Sequence, residues 1–167
     1  PDSVKYDFSR YYFDASKAAL KAERGKLTYM GRVNGQIDGI FEFRSTQRKD
    51  NASANFPRFM SYESNIPLQG LGDEKLNYMG GFALNGPRIY SSSVMGGNAK
   101  LEVLGDTDKK FEAQSRLFEF EDSAFVSRNA AIKIFQGNDS IFHPAVQLRY
   151  RYSTKQLFLH RSKGSLK

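Results

Sequence analysis

The chain has 167 residues, a formal charge of +7 from 25 Lys and Arg against 18 Asp and Glu, and an apolar share of 40% with 14 Phe and 9 Tyr. That suits one or two folded modules, and the lack of cysteine excludes disulfides, thiolate catalysis and Cys-type zinc sites. No apolar run approaches the roughly 20 residues of a membrane-spanning helix, and the N-terminus lacks the basic-then-apolar layout of a signal peptide.

In chain order, Val4, Tyr6 and Phe8 recur at every second position, the period of a strand with one buried face. Residues 14–24 fit two periods. Ala15, Ala18, Ala19 and Ala22 fall at helical intervals, with Gly25 placed to close a helix, whereas Ala18, Leu20 and Ala22 also alternate. Helix and strand both stay open here. Residues 45–55 are polar throughout and read as a loop, dividing an N-terminal β-rich segment (1–44) from a main β module (56–167). Beyond the loop, Gly80-Gly81-Phe82-Ala83-Leu84-Asn85-Gly86-Pro87 reads as a strand between glycine turns, and prolines at 57, 67, 87 and 144 mark strand starts or edges.

From Leu101 onward alternation dominates. Phe111, Ala113 and Ser115, then Leu117, Glu119 and Glu121 against Phe118 and Phe120, recur at every second residue, with Phe118 and Phe120 taking the buried side and Glu119 and Glu121 facing water. Residues 131–135 continue the pattern until the turn residues Gln136-Gly137-Asn138-Asp139 stop it. Val146, Leu148, Tyr150 and Tyr152 then alternate with Gln147, Arg149 and Arg151, and Leu157 and Leu159 follow. Two echoes accompany this: Lys26-Leu27-Thr28-Tyr29-Met30-Gly31 with Lys75-Leu76-Asn77-Tyr78-Met79-Gly80, and Asp122-Ser123-Ala124-Phe125 with Asp139-Ser140-Ile141-Phe142. The expected fold is all-β: a stacked sheet such as a β-solenoid or open β-jellyroll, or alternatively an antiparallel β-sandwich, with at most one short N-terminal helix.

Chemistry is sparse. His143 and His160 are the only histidines, too few for a three-histidine zinc site, and no HExxH, GxSxG, GxxxxGK[ST] or GxGxxG motif occurs; Gly70-Leu71-Gly72 lacks the third glycine. Glu119 and Glu121 lie about 7 Å apart by strand rise, within the range of inverting glycosidases, but their outward phase reads as a solvated pair. Asp106-Thr107-Asp108 and Gly137-Asn138-Asp139 lack the glycine and distal glutamate of calcium loops and read as hairpin turns. Arg149, Arg151, Arg161 and Lys163 form a basic C-terminal set suited to a polyanion or a protein partner. Alternation sends Tyr150 and Tyr152 to the opposite face, which goes against nucleic acid, because stacking platforms need rings and charges on one surface. Tyr62 and Tyr90 are the candidate rings for stacking on a glycan. No catalytic residue, metal or cofactor is assigned.

Phe56-Pro57-Arg58-Phe59-Met60-Ser61-Tyr62, the run from Tyr78 to Gly86, and Asp139-Ser140-Ile141-Phe142-His143-Pro144-Ala145-Val146 carry a resemblance, over about residues 4–164, to a repeat-bearing region of very large cell-envelope proteins of Bacteroidota. The resemblance implies a non-enzymatic structural or partner-binding module in the periplasm or at the cell surface, and a strand for the first segment. It implies too that the chain is a fragment or short relative. The last third is similar in shape to the open jellyroll of lipopolysaccharide-transport proteins. Partners expected on this reading are a neighbouring module or chain paired edge to edge, and a polysaccharide or lipopolysaccharide. The alternatives are a carbohydrate-binding β-sandwich and a glycoside-acting enzyme using Glu119 or Glu121.

Overall fold

The computed structural model describes residues 4–44, 57–63, 65–66, 68, 75–92 and 97–161. The elements in order are β1 (Val4–Phe8), β2 (Tyr12–Asp14), β3 (Ala19–Tyr29), β4 (Gln36–Arg44), β5 (Arg58–Ser61), β6 (Leu76–Met79), β7 (Gly81–Asn85), β8 (Arg88–Ser92), β9 (Ala99–Leu104), β10 (Lys109–Ser115), β11 (Glu119–Phe120), β12 (Ala124–Gln136), β13 (Asp139–Arg151) and β14 (Gln156–Arg161). They make one open antiparallel sheet of 14 strands, with no helix among the described residues, so the all-β expectation is met.

Period-two patterning becomes a core through register. Cross-strand neighbours Ala22, Phe41, Phe59, Leu84, Ile89, Phe120, Phe125, Tyr150 and Leu157 succeed one another over β3, β4, β5, β7, β8, β11, β12, β13 and β14. Facing pairs of this kind are what stabilise a sheet, since each ring or branched chain covers the next. The sheet also curls over this face. Tyr78 on β6 meets Phe120 on β11 at 5.1 Å, and Phe111 on β10 meets Tyr150 on β13 at 5.5 Å. The buried apolar residues accordingly form one cluster, in which Phe82, Phe118 and Phe125 are fully enclosed. Phe118 and Phe120 face inward and Glu119 and Glu121 outward, as alternation requires.

Segment 14–24 resolves as strand. Asp14 caps a turn by accepting bonds from the Ser16 amide and hydroxyl; Ala18 sits at φ 48° and Ala19 opens β3. The helix-like spacing has a physical source. Ala22 and Gly25 are both buried because the β3–β4 register shifts between them, and a bulge converts a period of two into a local spacing of three; Ala19, in regular register opposite Arg44, is buried as well. Gly25 thus lies mid-strand and closes no helix. At Gly39 a Cβ would collide with the Met60 carbonyl oxygen and the Phe59 ring, so β5 can lie this close to β4 only over a glycine.

Two-residue turns set two hairpins. Gly86 and Gly137 take φ of 61° and 59° as the first loop residues between the pairs Asn85–Arg88 and Gln136–Asp139, the position at which II′ turns select glycine. The echoed segments land in unlike surroundings. Leu76–Met79 lies at a sheet edge on β9, while its counterpart ends β3 between β1 and β4; Phe125 is 0% exposed and Phe142 62%. The expected 45–55 loop lies outside the described residues. The segments on either side of it belong to one sheet, β4 pairing with β5.

Candidate functional site: the sheet branch, the outer face and the open edges

Strand β12 borders three strands. One side pairs with β13; the other pairs with β11 at Phe125–Val126 and with β10 at Ala131–Ile134, the change falling at a register shift between Ser127 and Ala130. A sheet that branches leaves ladder groups without their usual partners, and buried serines supply them here. The Ser115 hydroxyl has the Leu117 and Asn129 carbonyls within 3.0 Å and 2.9 Å as acceptors, and takes a bond from the Leu117 amide. Ser115 and Ser127 also meet at 2.8 Å, and Ser127 accepts from the Asn129 amide. On the adjacent strands Ser91 accepts from the Phe118 amide and Ser61 from the Phe82 amide.

Beside the branch, on the face opposite the core, lies a cleft of about 1040 Å³. Register arranges its floor in two rows across the strands. One runs Ile40, Met60, Ala83, Tyr90, Glu119 and Val126; the other runs Glu42, Arg58, Asn85 and Arg88. Arg116 and Arg128 stand on the far wall beside the serine cluster. The two acidic groups are already matched, Glu42 with Arg44 at 2.8 Å and Glu119 with Arg88 at 3.9 Å.

Of the residues expected from sequence, Tyr90 sits in the cleft and is half-buried, whereas Tyr62 is exposed and stands outside it. Glu119 and Glu121 each face a guanidinium: Glu121 binds Arg149 through both oxygens, at 2.9 Å and 3.3 Å. The basic set is not brought together. Arg149 bonds Glu121, Arg151 covers the Phe158 ring at 5.3 Å, and Arg161, exposed and opposite Val146, falls on the other face by alternation; Lys163 lies outside the described residues. Tyr150 and Tyr152 point into the core. Burial pushes the Tyr152 hydroxyl well above its ordinary range, the nearby Glu121 and Asp122 charges adding to this and Arg32 opposing it. Among the described residues, no group of three or more His, Asp or Glu is placed to hold a metal, and no helix is long and apolar enough to cross a membrane.

Patterning alone missed the cleft's arginines, because Arg58, Arg88, Arg116 and Arg128 are far apart in sequence and only strand order joins them. On the outer face of β9 and β10, Lys100 and Lys109 bridge Glu102 and Glu112 at 3.0–3.4 Å. Both carboxyls are held below the usual range. At Glu102 partial burial pushes upward but hydrogen bonds from the two lysines outweigh it; at Glu112 the Lys109 hydrogen bond leads.

The third feature is at the edges. Strand β14 covers β13 only over Val146–Arg151, so Asp139–Ala145, all exposed or half-exposed, has β12 on one side and no strand on the other among the described residues. Ile141 (46% exposed) and Phe142 lie on this overhang. No protein-family model matches the chain, and no curated protein matches it.

Proposed function

We propose that this chain is a non-enzymatic, partner-binding β module of a bacterial cell-envelope or surface protein, joined to a neighbouring module or chain by pairing of sheet edges. The observation that carries the reading is the overhang of β13, where backbone N–H and C=O groups face outward beside two exposed apolar side chains. An unpaired edge of this kind is a template for another strand, and natural proteins normally blunt such edges with charge or proline. Pro144 and Asp139 do so only at the two ends, leaving Ser140–His143 able to pair. The envelope setting comes from the resemblance in residues 56–62, 78–86 and 139–146.

The test uses a second copy as the partner strand. Sedimentation velocity over a concentration series, with amide hydrogen exchange at each end of the series, is expected to show association accompanied by slowed exchange at residues 140–143. Ile141→Lys with Phe142→Lys should remove both effects. A monomer at every concentration, together with a pulldown that returns no protein partner, would overturn the proposal.

A further inference from the structure

We infer that the cleft on the outer face binds an extended anionic glycan, a polysaccharide carrying carboxylate groups, laid across the strands from β4 to β12. In the middle of the sheet the backbone is consumed by ladders on both sides of β5, β7 and β8, so a peptide cannot add itself as a strand there. Recognition falls to side chains alone.

Those side chains form a track. The row from Ile40 to Val126, apolar except for Glu119, crosses six strands, about 24 Å at the usual interstrand spacing. Tyr90 stands within it as the one aromatic platform, and such rings suit the apolar faces of sugars.

Charge supplies the sign of the ligand. Because Glu42 and Glu119 already have arginine partners, the excess positive charge rests on Arg116 and Arg128, neither of which has an acidic group within ion-pair distance among the described residues. A planar guanidinium fits a carboxylate through two parallel hydrogen bonds, which favours uronic-acid units. Nucleic acid fits less well, because its successive bases would find a single accessible ring to stack on.

The probe is a galacturonic acid hexamer, titrated calorimetrically into the intact chain alongside its methyl ester, an oligothymidylate and a polyglutamate. The acid hexamer is expected to bind, and the neutral ester at least ten-fold more weakly. Arg116→Gln with Arg128→Gln should weaken the acid hexamer at least ten-fold, the loss of one charge-assisted contact or more. Arg10→Gln with Arg24→Gln, the same charge change away from the cleft, should change it less than two-fold. Equal thermal midpoints for the two double variants confirm that both fold. Tyr90→Leu should weaken acid and ester alike. The inference is overturned if the hexamer does not bind at millimolar concentration, if ester and acid bind equally, if the two double variants weaken binding equally, or if the oligothymidylate or polyglutamate binds more tightly. Pro144 lies on both the overhang and the cleft lining, but none of these outcomes is read from association of the chain, so failure of one proposal is distinguishable from failure of the other.

Discussion

Phe125 and Phe142 end the two echoed tetrapeptides, and the fold assigns them opposite fates, so truncating each in turn tests the β12–β13 register directly. Phe125 is fully enclosed, with Tyr150 stacked at 5.2 Å, Phe118 edge-on at 6.1 Å and Tyr152 at 6.2 Å. Removing a buried phenylalanine ring costs about 3–5 kcal/mol, which includes ring pairs worth about 0.5–1.5 kcal/mol each. For a domain of this size one kcal/mol moves the thermal midpoint by about 2–4 °C, so Phe125→Ala should lower it by about 6–20 °C. Phe142→Ala, at a position 62% exposed, should stay within about 0.5 kcal/mol, or about 2 °C. The assay is thermal unfolding followed by far-ultraviolet circular dichroism and tyrosine fluorescence, feasible without interference because the chain has no tryptophan. It is run dilute, where edge pairing contributes nothing. If Phe125→Ala proves too unstable to purify, Phe125→Leu supplies the same ranking at smaller amplitude. Equal shifts for the two positions, or a larger one at Phe142, would mean that β12 and β13 are paired in another register and that the core row is wrong.

Ser115→Ala should destabilise by about 1–3 kcal/mol, because the Leu117 amide and the Leu117 and Asn129 carbonyls lose a buried partner; denaturant unfolding reads this, and a change below about 0.5 kcal/mol would show that water replaces the hydroxyl freely. The lysine–glutamate square gives a pH signature. Glu102 and Glu112 titrate below their unfolded value when folded, so their contribution is present above that value, near 4.5, and is lost as pH falls through the folded values. Lys109→Met should therefore lower stability at pH 6, by about 1 kcal/mol or less for a surface network, and the gap from wild type should narrow as pH falls below the unfolded value; a gap that stays constant through the acid range would remove the square from the acid dependence.

How much of this was legible in the sequence depended on whether a residue's fate is decided by its own neighbours along the chain. Inward Phe118, Phe120, Val146, Leu148, Tyr150 and Tyr152 could be read directly, because alternation is local and each lies within a strand or next to its end, where the period still holds. Ala22 and Gly25 lie three apart and both buried because a bulge is a pairing event, fixed by β4 and invisible in the sequence of β3. The basic C-terminal set is divided by pairing too. Arg149 and Arg151 do share a face, but Glu121, brought beside Arg149 by the β11–β12–β13 pairing, takes up one charge and the Phe158 ring covers the other. Tyr90 was picked out as a ring, yet its companions come from β4, β5, β10 and β12, and strand order was not predicted.

The branch at β12 also explains why cleft and hairpin overhang occur in one small module. A strand of ordinary length pairs with one neighbour on each side, but β12 and β13, each running Ala124–Gln136 or Asp139–Arg151, outreach β11 at one end and β14 at the other. The excess length on the β11 side is taken up by β10, and the corner between them opens the outer face beside Ser115 and Ser127. The excess on the β14 side is taken up by nothing within the described residues, which leaves Asp139–Ala145 as an edge. Shortening the hairpin by deleting Phe135, Gln136, Asp139 and Ser140 would keep the Gly137–Asn138 turn between the paired residues Ile134 and Ile141 and trim the overhang, while the contacts of β10 at Ala131–Ile134 survive. Edge pairing should then fall and glycan binding persist. Loss of both on that deletion, with the fold intact, would mean that the hairpin tip and the cleft act as one surface.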